Sequence, residues 1–158
     1  MGLDASVYCD CFERGTLLKP PPLGCTVVVS ADGSLSHQDG ESGDSAFDEW
    51  VWGSACEHED RRLLHHRIGN IALVAALRQE LNRHADQFPL LLSKVLYSGT
   101  HCGDFLRVAQ VKQLRPEIER LNSVSSGDAK MNSYLKDFAN QMAELADASI
   151  KIGKPISF

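Results

Sequence analysis

No stretch of this 158-residue chain is apolar over the ~20 residues that a membrane-spanning helix needs. The longest apolar-rich run, Ile68 to Leu77, is far shorter and opens on Gly69 and Asn70. The chain does not start with a basic region followed by an apolar one, the pattern of a secretory signal, so a cytoplasmic location away from membranes is expected. Lysine and arginine are missing between Asp32 and Asp60, where nine carboxylates stand. Phosphate-cradling, dinucleotide, nucleophile-elbow and H-E-x-x-H motifs are absent as well. The zinc-site spacings C-x2-4-C and H-x3-5-H do not occur, and no bound metal or cofactor is expected. Basic residues of the second half are dispersed over helical faces without an aromatic platform, which speaks against direct nucleic-acid binding.

What is present describes an ordinary globular chain. With 43% hydrophobic and 23% charged residues, 158 residues form one domain, 1–158, able to bury its own core. Five cysteines, at positions 9, 11, 25, 56 and 102, are an odd number and argue for free, buried thiols over a disulfide framework. The net charge of −5 is unevenly spread: residues 1–60 carry 12 acids against two bases, and residues 61–158 carry nine against 14. An acidic block is ordinarily a solvated face, but it also suits docking to a basic partner.

Residues 2–12 (GLDASVYCDCF) alternate, placing Leu3, Ala5, Val7, Cys9 and Cys11 on the inner side of a strand. Glu13 to Gly24, with its three prolines, reads as a surface connection, and Asp32-Gly33 turns the strand Cys25 to Ser30 back into an antiparallel one over Ser34 to His37. A short helix follows to Trp52, capped by Asp44 or Ser45, with Phe47 and Val51 inward. Leu64, Ile68, Ile71, Val74, Leu77, Leu81, Ala85 and Phe88 recur every three or four residues, which predicts one central helix of about six turns. A shorter apolar helix from Pro89 to Leu96 follows. Next comes a helix with Pro116 in its first turn, and then a strong helix from Met131 to near Lys151 stopped by Gly153. Pro155 to Phe158 adds an edge strand beside the first. The fold class is therefore α+β: a small antiparallel sheet from the N-terminal strands plus a C-terminal edge strand, packed against three to four α-helices. An exposed edge of that kind offers a homodimer contact.

Two groups of residues are candidates for function. The loop after the second apolar helix gathers Ser98, Thr100, His101, Cys102 and Asp104 within seven positions. Cys102 there has the chemistry of a nucleophile, but neighbouring side chains diverge, so a base would have to come from elsewhere, such as His58 beside Cys56. The bland reading has Ser98 and Thr100 capping carbonyls, Gly99 at positive φ, and Asp104 capping the next segment. His65 and His66, taken as helical neighbours, point apart and read as surface positions, and Glu80 and His84 form a local pair. The second group is the acidic stretch: Asp39, Glu41, Asp44, Asp48, Glu49, Glu57, Glu59 and Asp60, with Trp50 or Trp52 as aromatic anchor and the other in the core.

With GLDASVYCDCFERG at the start, KVLYSGTHCGDFL in the middle and IKIGKPISF at the end, the chain resembles small bacterial proteins of the immunity type found in polymorphic toxin systems. The resemblance implies a non-enzymatic inhibitor that binds a toxin domain and occludes its active site; it carries no catalytic residue over. A nuclease toxin with a basic cleft fits the acidic block by charge. A small enzyme or metal-dependent module, using the 97–104 loop with Cys56 and His58, is the alternative.

Overall fold

The computed structural model describes residues 2–38, 45–100 and 103–158. The chain is α+β. Strand β1 (Gly2–Tyr8) pairs antiparallel with β4 (Arg62–Asn70), while β2 (Val27–Val29) and β3 (Leu35–His37) form a separate hairpin. The short strands β5 (Phe105–Leu106) and β6 (Ile156–Ser157) complete a four-stranded sheet of order β4-β1-β6-β5. Helices α1 (Ser45–Gly53), α2 (Ile71–Asn82), α3 (Val108–Leu121) and α4 (Ala129–Ile152) pack with them, joined by short 3-10 turns at Glu59–Arg61 and Ala85–Gln87 and a π-type turn at Leu91–Val95. Among the described residues no helix is long and apolar enough to cross a membrane.

Alternation in β1 does what it predicts: Leu3, Ala5 and Val7 are buried in the main core with Leu77, Leu81, Val111, Leu114, Leu135, Phe138 and Met142. A second, smaller core holds Leu35, Phe47, Trp50, Val51 and Ala55, with Phe12, Leu17, Cys25 and Val27 half-buried around it. This lobe comprises the β2–β3 hairpin and α1. It adjoins the sheet where β1 runs out, through the bond from Thr16 N to Cys11 O (2.9 Å), and its own two ends are linked by the bond from Leu18 N to Ala55 O (2.8 Å).

The predicted six-turn helix is instead a strand followed by a helix of 12 residues. Leu64 and Ile68 are four apart, an even number, so they share a strand face as well as a helix face. Pairing with β1 decides between the two, and Asn70 then starts α2 by accepting Leu73 N–H on its side-chain oxygen at 2.8 Å. Ile71, assigned to the buried stripe, is exposed. Glu80 pairs with Arg83 (2.8 Å), not with His84. α3 begins at Val108, so Pro116 lies in its interior instead of its first turn. Gln110 supports that start by accepting Arg107 N–H at 2.9 Å. The C-terminal strand is not an edge: β6 lies between β1 and β5, and the basis for a dimer contact there is gone. Gly99 is not at positive φ. Its constraint is contact, since a Cβ there would stand 2.9 Å from Ile71 Cγ2.

A buried carboxylate in α3 escaped the sequence reading. Glu117 accepts from Leu90 N (3.0 Å) and Leu91 N (2.9 Å), satisfying the open donors of the turn that follows Pro89. Replacing it by alanine strands one buried and one part-buried donor, and Glu117→Ala is expected to lower stability by about 2–4 kcal/mol in denaturant unfolding, with Glu117→Gln losing roughly half as much.

Candidate functional site

Three places concentrate chemistry. The first is the junction between β1 and the small lobe. Beyond Tyr8 the chain keeps its alternation for two more inner positions, so Cys9 and Cys11 are both buried. Cys9 N–H donates to Arg61 O (2.8 Å), which draws the segment after α1 alongside. That segment carries Cys56 in a bend and His58 with extended backbone, both half-buried. Cys9 Sγ stands 3.6 Å from Cys56 Sγ, Cys11 Sγ stands 3.4 Å from His58 Nδ1, and Cys56 Sγ stands 3.8 Å from the same nitrogen. All four donor atoms lie within 4.8 Å of one another.

Burial, followed by the neighbouring Cys9 thiol, pushes the Cys11 thiol up to about 12. Burial likewise raises Cys56. Such thiols are poor free nucleophiles at neutral pH, whereas a soft divalent cation displaces their protons. Directly after His58 the backbone passes through two left-handed non-glycine residues, Asp60 (φ 49°) and Arg61 (φ 57°), a conformation that persists only where its surroundings enforce it. Arg61 is 2% exposed and lines a pocket of about 200 Å³ with Cys56 and His58; its Nε and Nη2 have no hydrogen-bond partner.

The second place is the open face of the sheet. Adjacent strand residues face opposite sides, so His66 turns to α4 and bonds Glu144 at 2.7 Å while His65 turns the other way. There Ser6 Oγ and His65 Nδ1 are 2.9 Å apart, in a cleft of about 520 Å³ lined also by Asp4, Tyr8, Arg62 and Thr100. The sequence reading missed this pair because it placed both histidines on a helix. The alternation of RLLHHRIGN was the available signal.

The third place is the 97–104 loop, of which His101 and Cys102 lie outside the described residues. Tyr97 O–H donates to Asp104, Ser98 Oγ donates to Thr100 O (2.9 Å), and Phe158 N donates to Asp104 O (2.8 Å). None of its described residues joins Cys56 and His58, whose companions are Cys9 and Cys11.

Of the acidic residues, Asp39, Glu41 and Asp44 also lie outside the described residues. Asp48 and Glu49 are exposed on α1, and Glu57 and Glu59 are exposed on the segment that follows. Asp60 pairs with Arg62 at 3.7 Å. Trp50 is a core residue whose indole donates to Lys19 O (2.9 Å), and Trp52 is 48% exposed. No protein-family model, curated protein or solved structure matches the chain.

Partial desolvation, reinforced by the charge of Arg62, holds His65 below its ordinary value of 6.5; Asp4 and Asp60 oppose this shift and His66 adds to it. Its ring is therefore neutral at pH 7. The folded chain binds that proton less readily than the unfolded one, so the contribution of His65 to stability is complete above pH 6.5 and is lost as pH falls through the folded-state value. Proton NMR titration should show one histidine with a midpoint below 6.5, and Ser6→Ala should move that midpoint and no other histidine's.

Proposed function

We propose that this chain is a non-enzymatic protein-binding module whose acidic lobe docks a basic partner, in the manner of an immunity-type inhibitor seated in a toxin's substrate cleft. The observation that carries the reading is the state of the lobe's carboxylates. Asp48, Glu49, Glu57 and Glu59 are all exposed, and among the described residues none of them takes part in an ion pair. Uncompensated carboxylates on one short helix and the segment after it repel one another, a cost that a partner of opposite charge removes. Trp52, in the same helix, offers the large apolar surface that interfaces favour at their centre, and the two charged residues Asp48 and Glu49 precede it by one turn or less. A nuclease cleft, built to hold phosphates, presents the complementary potential.

The test uses two purified baits, the wild-type chain and a variant with Asp48, Glu49, Glu57 and Glu59 changed to lysine, applied to lysate of the source cells at physiological salt. A basic protein should be retained by the first and released by raised salt. Expressed alone, that protein should cleave RNA or DNA, and the wild-type chain should suppress the cleavage. At ~0.7 kcal/mol per exposed carboxylate, the fourfold variant should bind it roughly a hundredfold more weakly. Equal retention by both baits, with equal affinity afterwards, would remove the acidic surface from the account.

A further inference from the structure

We propose that Cys9, Cys11, Cys56 and His58 form a structural zinc site that fastens the small lobe, residues 12–57, to the end of β1. The site is independent of the acidic docking surface, and either reading stands or fails without the other.

Geometry carries the assignment. Around zinc, with Zn–S of about 2.3 Å and Zn–N of about 2.0–2.1 Å, the edges of a tetrahedron are about 3.8 Å between sulfurs and about 3.6 Å between sulfur and nitrogen. The measured separations are 3.6 Å for Cys9 to Cys56, 3.4 Å for Cys11 to His58 and 3.8 Å for Cys56 to His58. Two sulfurs bonded to each other would stand at about 2.05 Å. The donors come as two short pairs, Cys-x-Cys and Cys-x-His, from chain segments that run side by side. Cys9 and Cys11 are both buried and Cys56 and His58 are both half-buried, so the two members of each pair lie on the inner side of their segment and reach one ion. Three thiolates and an imidazole fill all four positions of a tetrahedral ion and leave none for a substrate, which marks the site as structural. This soft donor set suits zinc over hard cations such as magnesium or calcium.

Charge supplies a second, separate argument. Loading releases three thiol protons and leaves a centre of net charge −1 (Zn²⁺ with three thiolates and a neutral imidazole). The guanidinium of Arg61, buried to 98% in the pocket it shares with Cys56 and His58, has two nitrogens without hydrogen-bond partners and no ion pair among the described residues. A buried cation of that kind is costly unless an anionic centre lies nearby. The loaded site provides one.

Position explains the need. Among its described residues the lobe's own core has five buried side chains, too few to hold some forty residues in place unaided. The proposed ion ties its two ends together: Cys9 and Cys11 precede the lobe, and Cys56 and His58 close it.

The test starts with the untagged, reduced full chain and zinc alone. Elemental analysis should give one zinc per chain, and cobalt in its place should give the visible bands of a tetrahedral ion with a thiolate charge-transfer band. Cys11→Ser should lower that charge-transfer band by about a third or abolish binding. His58→Cys should keep the ion with the band increased, and Cys25→Ser, a lobe cysteine outside the group, should keep it unchanged. Removal of zinc by a chelator should speed hydrogen exchange at least tenfold in residues 12–38 and 45–57 while α3 and α4 stay protected. Failure of the reduced wild-type chain to take up zinc or cobalt at micromolar concentration would overturn the proposal. Recovery of Cys9 and Cys56 as a disulfide, or equal loss of metal in Cys25→Ser, would do the same. The wild-type arm needs no variant to fold.

Discussion

Everything in this molecule is referred to β1. It is an interior strand of the sheet, flanked by β4 and β6, and it is buried on its helix side by Leu3, Ala5 and Val7. A strand bonded on both edges has no freedom to slip, because a shift of one residue would turn those side chains out of the core. That fixed register decides where the next residues go: Cys9 and Cys11 stay on the inner side just beyond the last pair, and Ser6 is held against His65 on the outer side. Both clusters of reactive side chains are thus consequences of one register, read on its two faces.

The pairing also shows why part of the fold was legible from sequence and part was not. β1, the hairpin, α1 and α4 are local: alternation, Asp-Gly, a short amphipathic run and a long one with Gly153 at φ 73° specify them within a few residues. The segment 62–70 is decided by a partner sixty positions away. Its spacing of four from Leu64 to Ile68 satisfies either period, and its exposed Leu63 and the adjacent histidines were the evidence for the strand. α3 errs in the other direction. A proline ordinarily marks a helix start, yet here the burial of Val111, Leu114, Ile118 and Leu121 on both sides of Pro116 outweighs one missing hydrogen bond.

The thiol group is a case of correct parts with an unreadable sum. Cys-x-Cys and Cys-x-His are both visible in the sequence, and each alone is ordinary. Their convergence depends on the bond from Cys9 N to Arg61 O and on the left-handed residues 60 and 61, which return the chain from the lobe to the sheet. Nothing local predicts two consecutive positive φ angles at Asp-Arg. The loop at 97–104 gives the converse lesson. Its dense polar composition drew attention, yet the side chains of Tyr97 and Ser98 donate within the loop and its backbone bonds Phe158, and among its described residues only Thr100 lines the cleft.

The two proposed activities meet in the lobe. On its surface Asp48, Glu49, Glu57 and Glu59 are exposed without an ion pair among the described residues, and their mutual repulsion acts against a core with five buried side chains among the described residues. Other acids are neutralised across elements: the lobe's own Glu13 by Lys154, and Asp147 by Arg115. Bases added beside these carboxylates would relieve the repulsion and, on the proposed reading, would erase the potential that attracts a basic partner. The proposed four-donor centre at the lobe's base would hold the two chain ends together without touching that face. The bond from Cys9 N to Arg61 O ties the end of β1 to the chain leaving the lobe, and it does so whatever meets the acidic face.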